Sequence, residues 1–259
     1  MHTHWLRSVR PRWLREEIFY RYYFKKTLPP GLFRNSKLDF ARGFSVDLLP
    51  TDVSHKCIAM CGYYGLPLSR EITRMAATGG LLVDVGANIG YYSILWAAAR
   101  DENRAIAFEV NPRALSFLER NVNSNSLSAQ IDIQKVAMGK MSGSSPFYPG
   151  PEDQTGWGGF SLVPGEGSIE VPVVSLDDFF RKDMRHIDIL KVDVEGADLW
   201  VLKGATGLLR ERRVKNIFFE ENSVRSEILG IKPGEAQNFL SAMGYRVRRI
   251  SLSNYHAVP

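Results

Sequence analysis

The sequence predicts an α/β fold in which helices cover both faces of a mostly parallel sheet, a doubly wound arrangement. From about residue 43 onward, short apolar runs rich in β-branched residues alternate with helical stretches. A glycine-containing turn joins the first of these runs directly to a helix, as in folds that bind nucleotides. With 259 residues, 44% of them apolar, the chain is long enough for one sizeable domain and a short addition.

The short addition is a basic aromatic helical extension, predicted over residues 1–42 and followed by the main domain over residues 43–259. Residues 1–30 hold seven Arg or Lys and two Glu, so they carry the whole formal net charge of +5. Aromatic side chains alternate with these cations until Pro29 and Pro30 end any helix. This composition is typical of peripheral contact with an anionic membrane. It is also typical of a helix packed on the body, or on a second copy of the chain in a homodimer.

The composition excludes several classes of protein. Neither a membrane-spanning run nor a signal-peptide core is recognisable, so we expect a cytoplasmic protein, peripheral on the inner membrane face if the extension binds lipid. The neutral body disfavours nucleic acid as a partner. Cys57 and Cys61 are expected to be reduced, and their loose spacing with His55 predicts packing in a helix rather than a zinc site.

The main domain contains the predicted elements of the sheet. Five strands, each buried on both faces, are predicted at residues 81–85, 105–109, 131–136, 187–192 and 216–220. The predicted helices cover residues 90–100, 112–123, 197–211 and 233–243. Right-handed crossovers would place the carboxyl ends of these strands at one edge, where ligands bind.

Residues 141–168 interrupt this alternation. Sixteen of these 28 residues are Gly, Pro or Ser, and they surround Trp157 and Phe160. The segment is interpreted as an irregular insertion or loose hairpin that serves as a lid, with a disordered spacer as the alternative.

The turn at residues 84–90 is the sharpest local signal in the sequence. Gly86 permits a tight turn, and Gly90 allows the backbone or the helix to approach closely. The helix that follows offers free N–H groups to an anionic group, whereas Asp84 at the strand end suits an ammonium group. A ligand with both charges, such as an amino-acid moiety, fits this pair.

Glu109 ends the second predicted strand, 23 residues after Gly86, where a carboxylate can accept hydrogen bonds from both hydroxyls of a ribose. The glycine spacing is Gly-x-x-x-Gly rather than Gly-x-Gly-x-x-Gly, which makes a nicotinamide cofactor the poorer choice. The turn and the acid together therefore predict a nucleoside-bearing ligand.

Asp193 and Glu195 follow the fourth predicted strand at the same edge of the sheet. One of them can accept a proton from a substrate hydroxyl while the other orients it, or both can hold a divalent cation, which is compatible with the pair but not predicted. The alternative is that they are acids favoured at the start of a helix.

Five stretches of the chain closely resemble the FkbM-type methyltransferases, and the resemblance runs from about residue 45 to 245. They are DVGANIGYYS at 84–93, FEVNP at 108–112, VVSLDDF at 173–179, LKVDVEGA at 190–197 and FE at 219–220. The resemblance implies the class I S-adenosylmethionine-dependent fold, with seven strands and an antiparallel last hairpin near residues 245–250 and 254–258. It also implies methyl transfer to a hydroxyl of a glycan, glycolipid or secondary metabolite.

The resemblance also implies site residues. The implied cofactor-binding residues, running from the methionine part through the ribose to adenine, are Asp84, Gly86, Ala87, Asn88, Gly90, Glu109, Asn111, Ala137, Met138 and Asp193. The implied catalytic residues are Asp193, Glu195 and Glu220. Family members often carry Gly-x-Tyr-Glu upstream of the first motif, whereas residues 62–65 here are GYYG, so contacts around this segment are expected to differ.

Two other functions are compatible with the sequence. The same cofactor site would serve methylation of a carboxylate or an amide nitrogen on a peptide or small molecule. A catalytically silent scaffold that binds a membrane or a partner through residues 1–30 is the non-enzymatic alternative.

Overall fold

A computed structural model describes residues 5–162 and 165–259 of the chain. The first four residues of the predicted extension, and residues 163 and 164 of the predicted insertion, lie outside the described residues. The described chain forms a seven-stranded sheet covered by helices, a smaller four-stranded sheet and a two-stranded pair.

The helices of the described chain are mostly short. They are α1 (Trp5–Ser8), α2 (Trp13–Tyr22), α3 (Val53–Cys61), α4 (Leu66–Ala76), α5 (Tyr91–Ala97), α6 (Pro112–Ser124), α7 (Leu176–Phe179), α8 (Asp198–Lys203), α9 (Thr206–Arg210), α10 (Ser223–Ile228) and α11 (Glu235–Ala242). The strands are β1 (Ser36–Lys37), β2 (Ser45–Val46), β3 (Leu81–Val85), β4 (Arg104–Phe108), β5 (Ile131–Gln134), β6 (Ala137–Met138), β7 (Gly143–Tyr148), β8 (Gly159–Phe160), β9 (Ile169–Val174), β10 (Ile189–Val192), β11 (Ile217–Glu220), β12 (Arg246–Arg249) and β13 (Asn254–Val258). Among the described residues, no helix is both long enough and apolar enough to span a membrane.

The large sheet confirms the predicted fold class. Its strands lie in the order β12-β13-β11-β10-β3-β4-β5. The five strands from β11 to β5 pair in parallel, and β13 runs against both of its neighbours. The last hairpin is therefore antiparallel, and its first strand, β12, points the same way as the parallel strands.

The central strands of the large sheet contribute alternate side chains to two hydrophobic cores. In β3, Leu82 packs in one core with α5, whereas Val83 and Val85 pack in the other with α8. Both β3 and β10 are buried along their whole length, as predicted, whereas the edge strand β5 is buried only in part. Polar groups can then gather at the carboxyl ends of the strands, where the chain leaves the sheet.

The N-terminal extension packs on the body of the protein. Leu6 and Phe19 are fully buried in the same core as α3. Arg15 is also fully buried, with Nη1 2.6 Å from Asp39 Oδ2 and 2.9 Å from the carbonyl oxygen of Cys61. The two cysteines are free and buried within α3. The buried side of α2 therefore packs on the body of the protein.

The predicted boundary between residues 42 and 43 does not coincide with a structural boundary. β1 and β2 pair across it, with Ser36 opposite Val46. The sequence could not show this, because the pairing of two such short strands leaves no recognisable pattern.

The predicted insertion is more regular than expected. β7 pairs with both β8 and β9 in antiparallel fashion, and β6 joins this small sheet parallel to β9. The third predicted strand, 131–136, consequently ends at Gln134, because the chain turns at that point to enter the small sheet. The predicted helix 197–211 is divided into α8 and α9 at Gly204, where a Cβ would lie 2.1 Å from the carbonyl oxygen of Gly139.

The docking of α2 leads to a prediction. Arg15→Ala is expected to lower the free energy of unfolding by about 3 kcal/mol, because it leaves the Asp39 carboxylate without its closest cation and opens a buried space. Urea unfolding measures the change, and Arg21→Ala, which removes an exposed cation from the same helix, should change it by less than about 0.5 kcal/mol. Equal stability of the two variants would contradict this packing.

Candidate active site

A cavity of about 460 Å³ lies at the carboxyl ends of β3, β4, β10 and β11. The turns that follow these strands form its floor, and the insertion and the N-terminal helix close it from outside. A second cavity of about 310 Å³ adjoins it, and Tyr20, Tyr64, Asp193 and Glu220 line both. The predicted edge of the sheet thus has room for ligands.

The turn after β3 forms one wall of the larger cavity. Gly86 has φ +75°, and a Cβ on it would lie 1.9 Å from the carbonyl oxygen of Asp193, so the position accepts glycine alone. The N–H groups of Gly86 and Ala87 both donate to the carbonyl oxygen of Phe108, each at 3.0 Å. These bonds fix the turn against the end of β4.

Glu109 lies next to this turn, at the end of β4. Its Oε2 accepts a hydrogen bond from the N–H of Asn88, and its Oε1 accepts from the N–H groups of Val110 and Asn111, each at 2.8 Å. Burial raises the pKa of Glu109, although these three donors oppose the rise. The carboxylate is therefore held rigidly, and Oε2 retains acceptor capacity toward the cavity.

Asp84 lies beneath the cavity and not on its wall, in contrast to the prediction. Its Oδ1 is 3.1 Å from Nζ of Lys191, and its Oδ2 accepts a hydrogen bond of 2.7 Å from the Ser93 hydroxyl. The residue that was expected to meet a ligand ammonium therefore meets the protein's own ammonium. Lys191 interrupts the apolar run of β10, and this is the signal that a buried anion lies opposite.

Three carboxylates gather at the ends of β10 and β11. Burial and the nearby Asp193 carboxylate raise the pKa of Glu220 to about 8, although the Ser253 hydroxyl donates to it at 2.8 Å. Burial and Asp193 likewise raise the pKa of Glu195 to about 7. Glu195 accepts a hydrogen bond from Nδ2 of Asn222 at 2.9 Å. Burial is the larger cause of both shifts, and the like charge of Asp193 adds to it.

Most of the predicted site residues do line the larger cavity. The cavity wall includes Gly86, Asn88, Glu109, Asn111, Ala137, Met138, Asp193, Glu195 and Glu220. Asp84, Ala87 and Gly90 lie behind it. Gly90 packs instead against α6, since a Cβ on it would lie 2.6 Å from Cδ1 of Leu118.

Asn111 has a second task that the sequence did not indicate. Its Nδ2 donates to the carbonyl oxygens of Pro149 and Thr155, at 2.9 and 3.0 Å, while its Oδ1 caps α6. Asp52, at the start of α3, also accepts hydrogen bonds from the N–H and the hydroxyl of Thr155. The insertion is thereby tied down over the cavity from two sides.

Several lining residues were not named individually in the sequence analysis, although the insertion was interpreted as a lid. Tyr20 and Phe24 of the extension, Tyr64, and residues 154–160 of the insertion complete the wall. The sequence feature that could have indicated these lining residues is the presence of aromatic side chains within two otherwise irregular segments. Tyr64 belongs to the GYYG segment that departs from the family pattern, and this segment borders the second cavity.

The larger cavity has the groups that a nucleoside with an amino-acid tail requires. The Asn88 side-chain carbonyl is buried in its wall and has no hydrogen-bond partner among the described residues. Glu109 offers an acceptor for ribose hydroxyls, while Ala137 and Met138 offer an apolar surface for a base. These residues fit S-adenosylmethionine. Over residues 5–162 and 165–259, no cluster of three or more His, Cys, Asp or Glu side chains has a geometry that could hold a metal ion.

A sheet in this order, with its reversed strand and a cofactor cavity at the carboxyl edge, defines the class I methyltransferase fold. Residues 84–247 match the family described as the methyltransferase FkbM domain. This match covers more than half of the chain, so the chain belongs to the FkbM methyltransferase family.

Individual relatives are more distant. The methyltransferase sdnD of Sordaria araneosa is 27% identical over 65% of this chain and 74% of its own length. The hexuronic acid methyltransferase AglP of Haloferax volcanii is 30% identical over 54% of this chain and 56% of its own. The crystal structure of methyltransferase FkbM from Methylobacillus flagellatus KT, at 16% identity, aligns with a TM-score of 0.44 over 88% of this chain and 57% of that one. The chain thus spans little more than half the length of AglP and of the Methylobacillus flagellatus methyltransferase.

The geometry of the turn predicts the effect of a single methyl group. Gly86→Ala is expected to weaken the binding of S-adenosylhomocysteine by at least about 100-fold, because the new Cβ displaces either the turn or the Asp193 backbone. Calorimetric titration measures the affinity. Gly31→Ala is the matched control, since no atom lies within 4 Å of its Cβ position and its affinity should be unchanged. Unaltered affinity in Gly86→Ala would place the cofactor elsewhere.

Proposed function

We propose that this protein transfers a methyl group from S-adenosylmethionine to a hydroxyl oxygen of a glycan, glycolipid or secondary metabolite, with Glu220 as the proton acceptor. The observation that carries the proposal is the position of the Asp193 and Glu220 pair. Both carboxylates line both cavities, so they stand between the cofactor and an acceptor in the second cavity.

The chemistry requires placement and one proton transfer. The cofactor supplies a methyl group on a positively charged sulfur and leaves as S-adenosylhomocysteine when the acceptor oxygen takes the methyl. The proton of the acceptor hydroxyl passes to Glu220, whose pKa of about 8 suits a base at neutral pH. Burial keeps that pKa high, and the negative charge of Asp193 raises it further. Glu195 is engaged by Asn222 and by Arg225, 3.5 Å away, so we assign it to positioning.

The two alternative activities explain less of this arrangement. Methylation of a carboxylate needs no base, because that acceptor is already ionised, and the raised pKa of Glu220 would then have no use. A silent scaffold would not need the rigidly held Glu109 or the unpartnered Asn88 carbonyl. The pair of carboxylates thus favours transfer to a hydroxyl.

Methyl transfer can be tested with cofactor carrying a ¹³C methyl group, offered with neutral glycosides, glycolipid extracts and peptides. A product that survives mild alkali and has the chemical shift of a methyl ether supports the proposal. An alkali-labile methyl ester, or a methyl group on nitrogen, overturns it. Failure of the protein to bind S-adenosylhomocysteine in calorimetry would favour the silent scaffold.

The pKa of Glu220 predicts a pH profile. A carboxyl group must be ionised to accept a proton, so the turnover of the wild type is expected to rise with pH and to level off above about 8. Glu220→Gln should lower turnover by about 100-fold or more and abolish this rise. Glu227→Gln, which changes an exposed carboxylate that lines neither cavity, is the matched control and should retain the turnover and the rise. A pH profile that is unchanged in Glu220→Gln would exclude Glu220 as the base.

We also propose that residues 1–30 contact an anionic membrane, such as the cytoplasmic leaflet. Trp5, Trp13 and Tyr22 are exposed, at 47%, 55% and 55%, although they are among the most membrane-seeking side chains. Exposed cations accompany them in the same segment, namely Arg10, Arg21, Lys25 and Lys26. Charge complementarity with anionic lipid and interfacial burial of the rings both support this partner.

Flotation with vesicles of phosphatidylcholine and phosphatidylserine tests this contact. We expect the wild type to float and the triple variant Trp5→Ser, Trp13→Ser, Tyr22→Ser to lose at least about tenfold of its affinity. The substitutions are made in the full chain because truncation would expose the core around Phe19. Met184→Ser is the control, since it removes an exposed apolar side chain outside the extension. Equal flotation of the wild type and the triple variant would refute the contact.

A further inference from the structure

We propose that the second cavity is the site of the methyl acceptor and that it selects hydroxyl compounds without negative charge. The inference rests on the proposed function, because it needs a cofactor in the adjoining cavity. It goes beyond that function by naming the charge of the acceptor and the segment that selects it.

The charge of the second cavity supports this selection. Its wall includes the carboxyl groups of Glu16, Asp193 and Glu220, whereas no Lys, Arg or His is found among its described lining residues. An acceptor that carries a carboxylate or a phosphate would find no counterion on this wall and would be repelled by those of its carboxyl groups that are ionised. A neutral hydroxyl compound would avoid this repulsion, and an amine-bearing one would be attracted.

Lys191 does not compensate for these acids. Its ammonium lies between Asp84, 3.1 Å away, and Asp193, 3.6 Å away, and it donates to the carbonyl oxygen of Gly86 at 2.7 Å. Its side chain is only 3% exposed. The charge is therefore already neutralised and is out of reach of an acceptor.

The remaining lining residues suit a compact polyol. Rings of Tyr20, Tyr64 and Tyr92 supply flat apolar surfaces on which the C–H face of a sugar can rest. The carboxylates, together with Ser251 and Asn254, supply acceptors for its hydroxyl groups. Combined, these groups have the chemistry that recognises a monosaccharide unit.

The N-terminal helix provides part of this wall. Glu16 and Tyr20 are one turn apart on α2 and both line the second cavity. The N–H groups of Leu66 and Gly65 lie against the Glu16 carboxylate, but burial has the larger effect and raises the pKa of Glu16. Residues 84–247 match the family domain, so these two residues come from outside it. Acceptor choice is thus set in part by a segment that the family match does not include.

The test uses three probes that differ in one substituent: methyl glucoside, methyl glucosaminide and methyl glucuronide. Binding to the full chain, saturated with S-adenosylhomocysteine, is followed by saturation-transfer NMR. We expect the neutral and amine-bearing probes to bind, and the glucuronide to bind at least about tenfold more weakly than the glucoside. Tyr20→Ala should weaken the binding of the glucoside by a similar factor, with its fold checked by circular dichroism.

A charge substitution makes the test specific. Leu252 lines the second cavity and is 88% exposed, so a longer side chain there can reach an acceptor without disturbing the core. Leu252→Arg is expected to raise the affinity for the glucuronide about tenfold, whereas the matched Leu252→Gln should not.

Three results would overturn the inference: glucuronide that binds the wild type as tightly as glucoside, a Tyr20→Ala variant with unchanged affinity, or no binding of any probe. Calorimetry with S-adenosylhomocysteine on the same samples separates this failure from failure of the proposed function. Intact cofactor affinity with any of these results overturns the acceptor site alone. Loss of cofactor affinity in the wild type would overturn both.

Discussion

The buried ion pair between Lys191 and Asp84 is the interaction on which the rest of the site depends. Burial acts to lower the pKa of Lys191, but Asp84 and Asp193 outweigh it and raise that pKa. The ammonium joins the ends of two neighbouring strands, β3 and β10, and also holds the Gly86 carbonyl. Removing one partner of such a pair costs about 3 to 5 kcal/mol, because the other stays buried and charged. The turn after β3 and the Asp193 carboxylate therefore keep their positions relative to each other.

Around this fixed centre, segments from distant parts of the sequence close the two cavities. The N-terminal helix brings Tyr20 to both of them, and the insertion covers the larger one. Each is fastened by side chains of the central body: Asp39 pairs with Arg15 of the helix, and Asn111 and Asp52 hold the insertion. The central sheet thus carries Asp193 and Glu220, which line both cavities, and the two outer segments lie over them.

The sequence predicted the central part far better than the outer segments. Strand positions follow from apolar runs, and turn chemistry follows from glycines, because both depend on neighbours in the chain. Asp84 was expected to face a ligand. Its actual partner, Lys191, is more than one hundred residues away in the sequence, so the local pattern could not reveal their contact. The break at Gly204 depends on the Gly139 backbone in another sheet. In the extension, composition alone could not show that Arg15 and Phe19 are buried whereas Trp13 and Tyr22 are exposed.

The burial of Arg15, Leu6 and Phe19 shows that the folded unit of this protein is longer than the region that matches the family. One unit is the region that matches the family domain, and it begins at residue 84. The unit of folding is the stretch that closes its own core, and it reaches back to α1 and α2. A fragment cut to the homologous region would leave an open apolar face. The family match therefore gives only the minimum length of the folded unit. The buried residues of α1 and α2 show that this unit reaches back at least to α1.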